Sequence, residues 1–428
     1  MTDWRTGVYL DAGTLRRDPG YPARLRDEIG LTTAVLSFSG TLPAEVASLT
    51  PFPQVPPTEE DIAGLVLKHM DGAPVDPREY DRALASVGPG VRAGGDDEGF
   101  QRVVDSLKAQ GLDVWLCGSS WTERRLMYCP SREAVTVWFE AVCAHWASSY
   151  GADGIDLTHA RFPMGSFPLG LFGCTCAHCA SAAAEMGYDM AEMTAALRST
   201  RVRLQQLAGR QLGEVARLGI GFFDVIQALD IQPGLIAWLR FRTQLLTRAL
   251  CRFRAAAKAA HPAIFFGSDT FPASMSLTVG HDLVRWGEFA DFASPLVSHI
   301  SAFTCDTLIE WARFLQAEVG DDLSEADALA TIYRFTGYDG IGLPEAYDDF
   351  GEADDLAHTV PVADLVLRDL TKTRLFLPES LPSFPIIHGS GWPRAAIDRI
   401  VSEASRLGHD GIIWQGTDEL TQPNSGRP

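Results

Sequence analysis

One local pattern recurs along this chain and limits its fold more than any other feature. An amphipathic helix ends near a glycine or proline, and a short apolar strand begins at once. The pattern is clearest where helical stripes precede Gly111, Gly151 and Gly408, and the strands that follow read LDVWLCG, DGIDLTHA and DGIIWQG. Helical spacing that changes to a short buried run indicates βα units and a parallel sheet. The sequence therefore predicts an α/β protein.

Counting these units gives eight candidate strands, the number that closes a (β/α)8 TIM barrel. The first and the last lie near the two ends of the chain, as closure requires. An open, doubly wound sheet is the alternative, but no G-x-G-x-x-G follows the first strand, which counts against a dinucleotide-binding version. The predicted strands are 7–10, 33–38, 114–117, 154–157, 264–267, 292–297, 384–388 and 412–415.

Two long segments do not fit the repeat and are predicted to be insertions at the carboxyl face. Residues 40–96 are rich in Pro, Gly and charge, so we expect a long loop with one or two short helices after the second strand. Residues 180–258 read as almost wholly helical and follow the fourth strand. We expect one barrel domain over residues 1–420 and a disordered tail over 421–428.

Charge and terminal sequence restrict the partners and the compartment. The chain of 428 residues has a formal net charge of −19, which disfavours nucleic acid and anionic membranes as partners. The segment MTDWRTGVYLDAG has neither a basic nor an apolar region of a signal peptide, and no apolar run is long enough to cross a bilayer. We expect a cytoplasmic protein that acts on a small carbohydrate, and a homo-oligomer is compatible with the sequence.

Two aspartates at strand ends are the candidate catalytic residues. If Ile155 and Leu157 face the surrounding helices, Asp156 and Thr158 face the barrel axis at the carboxyl end of the fourth strand. The same register brings Asp269 to the same mouth. Each aspartate alone has a structural alternative as a helix cap or ion-pair partner. A pair of carboxyls can hydrolyse a glycosidic bond, with Asp156 as nucleophile or stabiliser and Asp269 as general acid and base.

Other residues are predicted to line this mouth and to bind substrate. The alternatives are a buried ion pair for the arginine, a divalent metal held by the histidines with Asp269, and a simple core-capping role for the tryptophans. The metal alternative corresponds to a sugar isomerase or hydrolase. The candidates are Asp11, Arg161, His159, His299, His388, Trp121, Trp392, Trp414 and Glu345.

A compact cysteine group follows the fourth strand. Cys174, Cys176 and Cys179 form C-T-C-A-H-C, and thiolates at this density favour a structural zinc, with Cys129 or His178 as a fourth ligand. A buried turn of unligated thiols is the alternative. In a chain without a secretory signal, thiols or metal ligands are expected rather than disulfides. No cofactor is expected to take part in catalysis.

The region from Cys129 to Cys179 carries four motifs in a fixed order. They are a C-P turn, a helix ending in Y-x-x-D-G-I, an R-F-P after the strand, and the C-x-C-x-x-C group, at 129–130, 150–155, 161–163 and 174–179. This order resembles a poorly characterised family of glycoside-hydrolase-like TIM barrels, similar in style to the α-amylase and β-galactosidase clans. The resemblance implies a barrel acting on glycosides, with an acidic residue at the end of the fourth strand.

The chain departs from that family at one position. Many relatives have aspartate three residues before the arginine, where this chain has Thr158. The nearest carboxyl is Asp156, on the same face of the strand. Either the catalytic carboxyl has moved to Asp156, which favours a glycosidase, or the barrel binds carbohydrate without cleaving it.

Overall fold

The computed structural model describes residues 4–49, 68, 97–119, 122–123, 126–127, 129–162, 169–320, 322–352 and 356–421. Eight parallel strands form its central sheet. None of the helices within these ranges combines the length and the apolarity that crossing a membrane requires. The strands are β1 (Arg5–Asp11), β2 (Thr33–Ser37), β3 (Asp113–Ser119), β4 (Gly154–Thr158), β5 (Phe265–Thr270), β6 (Phe292–Pro295), β7 (Ile386–His388) and β8 (Gly411–Gln415).

The sheet curls into a nearly closed barrel, which confirms the (β/α)8 prediction over the open doubly wound sheet. Its strand order is β6-β5-β4-β3-β2-β1-β8-β7, and all seven ladders are parallel. Two isolated parallel bridges, Ala293 to Ser383 and Leu296 to Ile386, join β6 to β7 and bring the edges together. Both edge strands are shorter than the sequence predicts, since β6 ends two residues early and β7 begins two residues late.

Helices surround the strands. The α-helices of the described residues are α1 (Ala12–Arg17), α2 (Tyr21–Ile29), α3 (Ala44–Ala47), α4 (Asp97–Ala109), α5 (Glu133–Ser149), α6 (Leu169–Phe172), α7 (Ala177–Glu185), α8 (Met190–Gln205), α9 (Gly209–Leu218), α10 (Phe222–Leu229), α11 (Pro233–Ala260), α12 (Asp306–Val319), α13 (Glu325–Thr336), α14 (Leu356–Thr359), α15 (Val362–Phe376), α16 (Arg394–Arg406) and α17 (Asp418–Thr421). Short 3-10 turns span Ser276–Val279, Leu283–Glu288 and Tyr347–Phe350, a π-helical turn spans Ile300–Cys305, and Thr122–Glu123 pairs antiparallel with Leu126–Met127.

Glycines explain why the repeating pattern in the sequence reports βα units. Gly151 follows α5 with φ of 65°, and Gly408 follows α16 with φ of 84°. A helix that ends in this left-handed conformation satisfies its last carbonyls and turns the chain, and glycine adopts it without a steric penalty. After each of these two turns the chain enters a buried strand within a few residues.

The two predicted insertions differ in how far the structure describes them. In the segment 40–96, α3 is described, and most of the remainder lies outside the described residues, as do residues 422–428 of the predicted tail. The segment 180–258 is helical and comprises the end of α7, then α8 to α10 and most of α11. The long helix α11 packs along α5. It therefore serves as the ring helix of the fourth βα unit, while α7 to α10 are the added part.

The barrel interior changes from apolar to polar along its axis. Trp115 and Phe292 pack with ring centroids 4.4 Å apart, and Val35 and Ile413 belong to the same buried cluster. Beyond this layer the inward positions near the carboxyl ends carry tyrosine, aspartate, serine and threonine. This apolar layer excludes water, so the polar groups next to it at the carboxyl ends of the strands lie in a poorly solvated environment.

Candidate functional site

Asp156 lies in the barrel interior, as the strand alternation predicts. It pairs in register with Cys117 on β3 and with Gly267 on β5, and its side chain is 0% exposed. The Tyr9 hydroxyl donates to Oδ2 over 2.8 Å, and the Ser294 hydroxyl donates to Oδ1 over 2.7 Å. Burial raises the pKa of Asp156 to about 7, against the lowering effect of its hydrogen bond from Ser294.

Asp269 lies one inward position nearer the carboxyl end of the barrel than the β5 partner of Asp156. Its Oδ2 accepts from the Thr158 hydroxyl at 2.7 Å and from the backbone N–H of His159 at 3.4 Å. Its Oδ1 is buried and has no hydrogen-bonding partner among the described residues. Burial raises the pKa of Asp269 to about 6, while the Thr158 hydrogen bond and the charge of Arg161 act to lower it. This oxygen therefore keeps a hydrogen-bonding capacity that the described residues do not use.

The two aspartates form a proton-holding pair. Burial raises both pKa values, and the charge of Asp269 further raises the pKa of Asp156. Near neutral pH the pair therefore retains a proton that exposed aspartates have already lost.

His159 connects to Asp269 through Thr158. The Thr158 hydroxyl donates to Asp269, so it accepts from Nδ1 of His159 at 2.9 Å. Burial lowers the pKa of His159 to about 3, so the imidazole is neutral with its proton on Nδ1. His159 has φ of 60°, a conformation that is uncommon outside glycine. The backbone strain and the hydrogen-bonded chain together fix the Thr158 hydroxyl against the carboxyl.

Arg161 is buried between two aromatic rings. Its guanidinium lies 4.8 Å from the Phe271 ring centroid and 4.7 Å from that of Phe303, and Nη1 donates to the Phe162 carbonyl at 3.2 Å. Burial lowers the pKa of Arg161 to about 10, so the group keeps its charge. The charge of Asp269 acts against this lowering of the Arg161 pKa.

A ring of hydrogen bonds holds His299 at the ends of β6 and β8. His299 Nδ1 donates to Ser298 Oγ at 3.1 Å, Ser298 donates to Gln415 Oε1 at 2.6 Å, and Gln415 Nε2 donates to His299 Nε2 at 3.2 Å. This closed ring requires a neutral imidazole, and burial lowers the pKa of His299 to about 4. His388 Nδ1 donates to the Gln415 carbonyl at 3.0 Å, and the two imidazole centroids are 5.9 Å apart.

A cleft of about 400 Å³ opens beside these histidines. Among the described residues its lining contains His299, His388 and Trp392, three serines and several small apolar residues, and no Asp, Glu, Lys or Arg. Hydroxyls and imidazoles in a mostly apolar wall suit a small ligand that is rich in hydroxyls.

The remaining predicted residues are placed as follows. Asp11 is exposed and caps α1 by accepting from the Thr14 N–H at 2.8 Å, which is its structural alternative. Trp392 and Trp414 are largely buried, which favours core capping, although Trp392 also borders the cleft. Glu345 is exposed. Trp121 lies outside the described residues.

Four cysteine thiols converge beside the barrel. The Sγ atoms of Cys129, Cys174, Cys176 and Cys179 all lie within 4.8 Å of one another and are buried. Cys129 Sγ is 3.4 Å from Cys176 Sγ and 3.6 Å from Cys179 Sγ. Tetrahedral zinc with Zn–S bonds of about 2.3 Å places sulfurs about 3.8 Å apart, so the thiols fit the ion. The fourth member of the cluster is Cys129, not the alternative His178.

No other metal cluster occurs in the described part of the chain. The cysteines are its only group of three or more His, Cys, Asp or Glu side chains whose ligand atoms lie close enough to share an ion. The proposed ring of His299, His388 and Asp269 therefore does not form a metal site among these residues.

The sequence did not identify Tyr9, Ser294 or Ser298 as residues of the site. Tyr9 precedes Asp11 by two positions on β1, so strand alternation alone could have assigned it to the interior. Ser294 pairs in register with Asp269, yet its hydrogen bond goes to Asp156. That contact depends on the stagger of the closed barrel, which the sequence does not display.

Comparisons with known proteins add information about the backbone. No known protein family matches the sequence, and neither does any curated protein. The fold is similar to the PgaB (BpsB) glycoside hydrolase domain from Bordetella bronchiseptica, at 10% identity over 97% of this chain and 95% of that one, with a TM-score of 0.49. A β-galactosidase from Rahnella sp. R3 is similar at 12% identity, 97% and 50% coverage, and a TM-score of 0.43. A thermostable xylanase (Xyn10A) mutant from Cellvibrio japonicus is similar at 10% identity, 94% and 98% coverage, and a TM-score of 0.37.

These structural neighbours are glycoside hydrolases, and the likeness concerns the course of the backbone. At such low identities and TM-scores it carries no argument about catalytic residues or substrate. The functional argument therefore rests on the side chains at the mouth of the barrel.

The raised pKa of Asp156 leads to a prediction about stability. The folded state holds its proton up to about pH 7, whereas the unfolded chain releases it near 3.8, so the free energy of unfolding falls as pH rises between these values. In Asp156→Asn this decrease in the free energy of unfolding is expected to be smaller by up to roughly 4 kcal/mol. Urea unfolding at several pH values measures the free energy of unfolding of both proteins. Asp398→Asn, which alters an exposed carboxyl, should leave the fall unchanged, and an unchanged fall in Asp156→Asn would contradict the assigned pKa.

Proposed function

We propose that this protein is a glycoside hydrolase that works at the carboxyl face of its barrel. The observation that carries the proposal is the carboxyl of Asp269, which is buried, keeps its proton up to about pH 6, and has one oxygen without a hydrogen-bonding partner among the described residues. A general acid must have its proton at the working pH and an atom free to reach the leaving group. The resemblance of the segment 129–179 to glycoside-hydrolase-like barrels supports the same reaction class.

Two carboxyls have separate roles in this scheme. Asp269 gives its proton to the glycosidic oxygen as the bond from that oxygen to the anomeric carbon breaks, and its carboxylate then takes a proton from the attacking water. When it is ionised, Asp156, held by Tyr9 and Ser294, supplies the negative charge that stabilises the positive charge on the sugar ring. Because the pKa of Asp156 is above that of Asp269, the reacting form, with Asp156 ionised and Asp269 protonated, is the minor one. The charge of Arg161 lowers the pKa of Asp269 and so favours the release of its proton to the leaving group.

The cleft beside His299 and His388 is the proposed subsite for the sugar. Its described lining offers hydroxyl and imidazole groups and no Asp, Glu, Lys or Arg, so it suits neutral sugars better than uronic acids or amino sugars. No metal or cofactor enters this scheme.

The proposal predicts a particular pH dependence. With a panel of neutral aryl glycosides, among them galactosides, glucosides and xylosides, kcat/KM is expected to be highest between about pH 6 and about pH 7 and to fall on both sides. The reason is that the reacting form needs a proton on Asp269 and none on Asp156. Initial-rate measurements from about pH 4 to 9 test this. A rate that stays constant up to pH 9 would contradict Asp269 as the acid.

The competing function is a barrel that binds carbohydrate without cleaving it. Thr158 favours it, because many relatives in the resembled family carry aspartate at this position. Calorimetric binding of the same neutral glycosides, with no product from any of them after prolonged incubation, would establish this alternative and reject hydrolysis.

We also propose that Cys129, Cys174, Cys176 and Cys179 hold a structural zinc. The distances between their sulfurs fit tetrahedral coordination, and Ser131 donates to Cys179 Sγ at 3.3 Å, as expected of a group that orients a ligand. Four protein ligands leave no open position for a substrate. The ion would tie the turn before α5 to the start of α7.

A further inference from the structure

Helix α10 stands out because it contains no buried residue. Phe222 and Phe223 are 74% and 76% exposed, and Leu218 at the end of α9 is 88% exposed. Val215 is one turn before Leu218 on the same face of α9 and is also exposed. These four side chains are called the Phe222 patch below. Large apolar side chains that cluster on a surface indicate a contact site more often than chance exposure does.

The Phe222 patch is held in place by its surroundings. Asp224 accepts from the Gly221 N–H at 2.8 Å and caps α10, while Arg203 Nε donates to the Ala228 carbonyl at 3.0 Å near the other end. Arg217 pairs with Asp327 at 2.5 Å and fixes α9 against α13. A surface ordered before binding loses little conformational entropy when a partner arrives.

The charge distribution favours one kind of partner. Residues 209–230, which comprise α9 and α10, carry two Arg against three Asp and Glu, whereas the rest of the chain carries 34 Lys and Arg against 52 Asp and Glu. The contact region is therefore close to neutral, unlike the rest of the chain. Two copies of so acidic a protein repel each other through their barrels. Contact through α9 and α10 keeps the acidic barrels apart.

A membrane surface fits the Phe222 patch less well. Helix α10 reads FFDVIQAL and has no Lys or Arg to attract anionic lipids. Its eight residues are also few for an interfacial anchor, and the net charge of −19 opposes approach to an anionic bilayer.

We infer that the Phe222 patch is the contact through which two copies of this chain form a two-fold symmetric dimer. Two phenylalanines with a leucine and a valine supply on the order of 500 Å² of contact surface on each copy. The total of about 1,000 Å² reaches the lower limit for specific interfaces, so a weak dimer is expected. Screening of the barrel repulsion by salt should strengthen it.

Sedimentation velocity of the full chain from about 1 to 200 µM tests this inference. The native protein is expected to shift from monomer to dimer over this range, and more readily at higher salt. The double variant Phe222→Ser/Phe223→Ser is expected to weaken the dimer at least about tenfold. The matched control is Leu375→Ser, which alters a side chain of α15 that is 75% exposed, and it should dimerise like the native protein.

Two outcomes would overturn the inference. One is a native protein that stays monomeric throughout the range. If that monomer binds vesicles of phosphatidylcholine and phosphatidylserine and the double variant does not, the Phe222 patch contacts membranes and not a second copy. The other is a double variant that dimerises as tightly as the native chain. Both variants alter exposed side chains, so the fold should be retained and the circular dichroism spectrum should be unchanged. Hydrolytic activity is not needed for any of these measurements.

Discussion

Asp269→Asn is expected to lower kcat for glycoside hydrolysis by about 10²–10⁴-fold, because the variant has no proton to give to the leaving group. The amide oxygen of asparagine can still accept from Thr158, which now donates to Asp269 at 2.7 Å. Folding should therefore be retained. Stopped assays with neutral aryl glycosides measure the loss, and circular dichroism with thermal unfolding checks the fold.

A matched carboxyl near the same end of the barrel serves as the control. Asp418 is exposed and accepts from Ser390 at 3.3 Å, so Asp418→Asn removes a carboxylate without touching the buried pair. It should retain close to full activity. Equal rates for Asp269→Asn and the native protein would remove Asp269 from the scheme, and equal losses in both variants would indicate a general effect of charge.

The second large effect concerns the cysteine cluster. Purified protein is expected to contain one zinc per chain, and Cys176→Ser should lose it together with thermal stability, by roughly 10 °C or more. The reason is that zinc binds the folded thiol set far more tightly than the unfolded chain. Elemental analysis and scanning calorimetry measure the two quantities.

Cys143→Ala is the control for this experiment. Cys143 is a buried thiol of α5 that lies outside the cluster, so its removal tests the effect of losing a buried sulfur alone. That variant should keep its zinc and lose only a little stability. Metal-free protein with unchanged stability on addition of zinc would leave the buried-thiol turn as the correct description.

The barrel could be predicted because its signals are local. A glycine after each helix and a buried strand beyond it are adjacent in the chain, so Gly151 and Gly408 mark unit boundaries without any tertiary information. Strand alternation is equally local, and it correctly assigned Asp156 to the interior. The convergence of Cys129 with the three later cysteines was predicted only as one of two options.

The partners of the carboxyls could not be predicted because they come from strands distant in sequence. Tyr9 reaches Asp156 from 147 positions away, and Thr158 reaches Asp269 from 111 positions away. Which of several inward hydroxyls meets which carboxyl depends on barrel tilt and stagger. The role of α11 was missed for a related reason, since an insertion helix and a ring helix have the same sequence pattern.

The short edge strands have a consequence for motion. Across most of the barrel, neighbouring strands share four or five registered pairs, whereas β6 and β7 meet at two bridges. The junction between β6 and β7 therefore has the least strand pairing in the barrel, and its backbone amides should exchange with solvent before those of β2 or β3. The histidine-lined cleft lies at the same junction between β6 and β7. A sugar bound between His299 and His388 would contact residues at the ends of both edge strands and would thus stabilise the closed barrel.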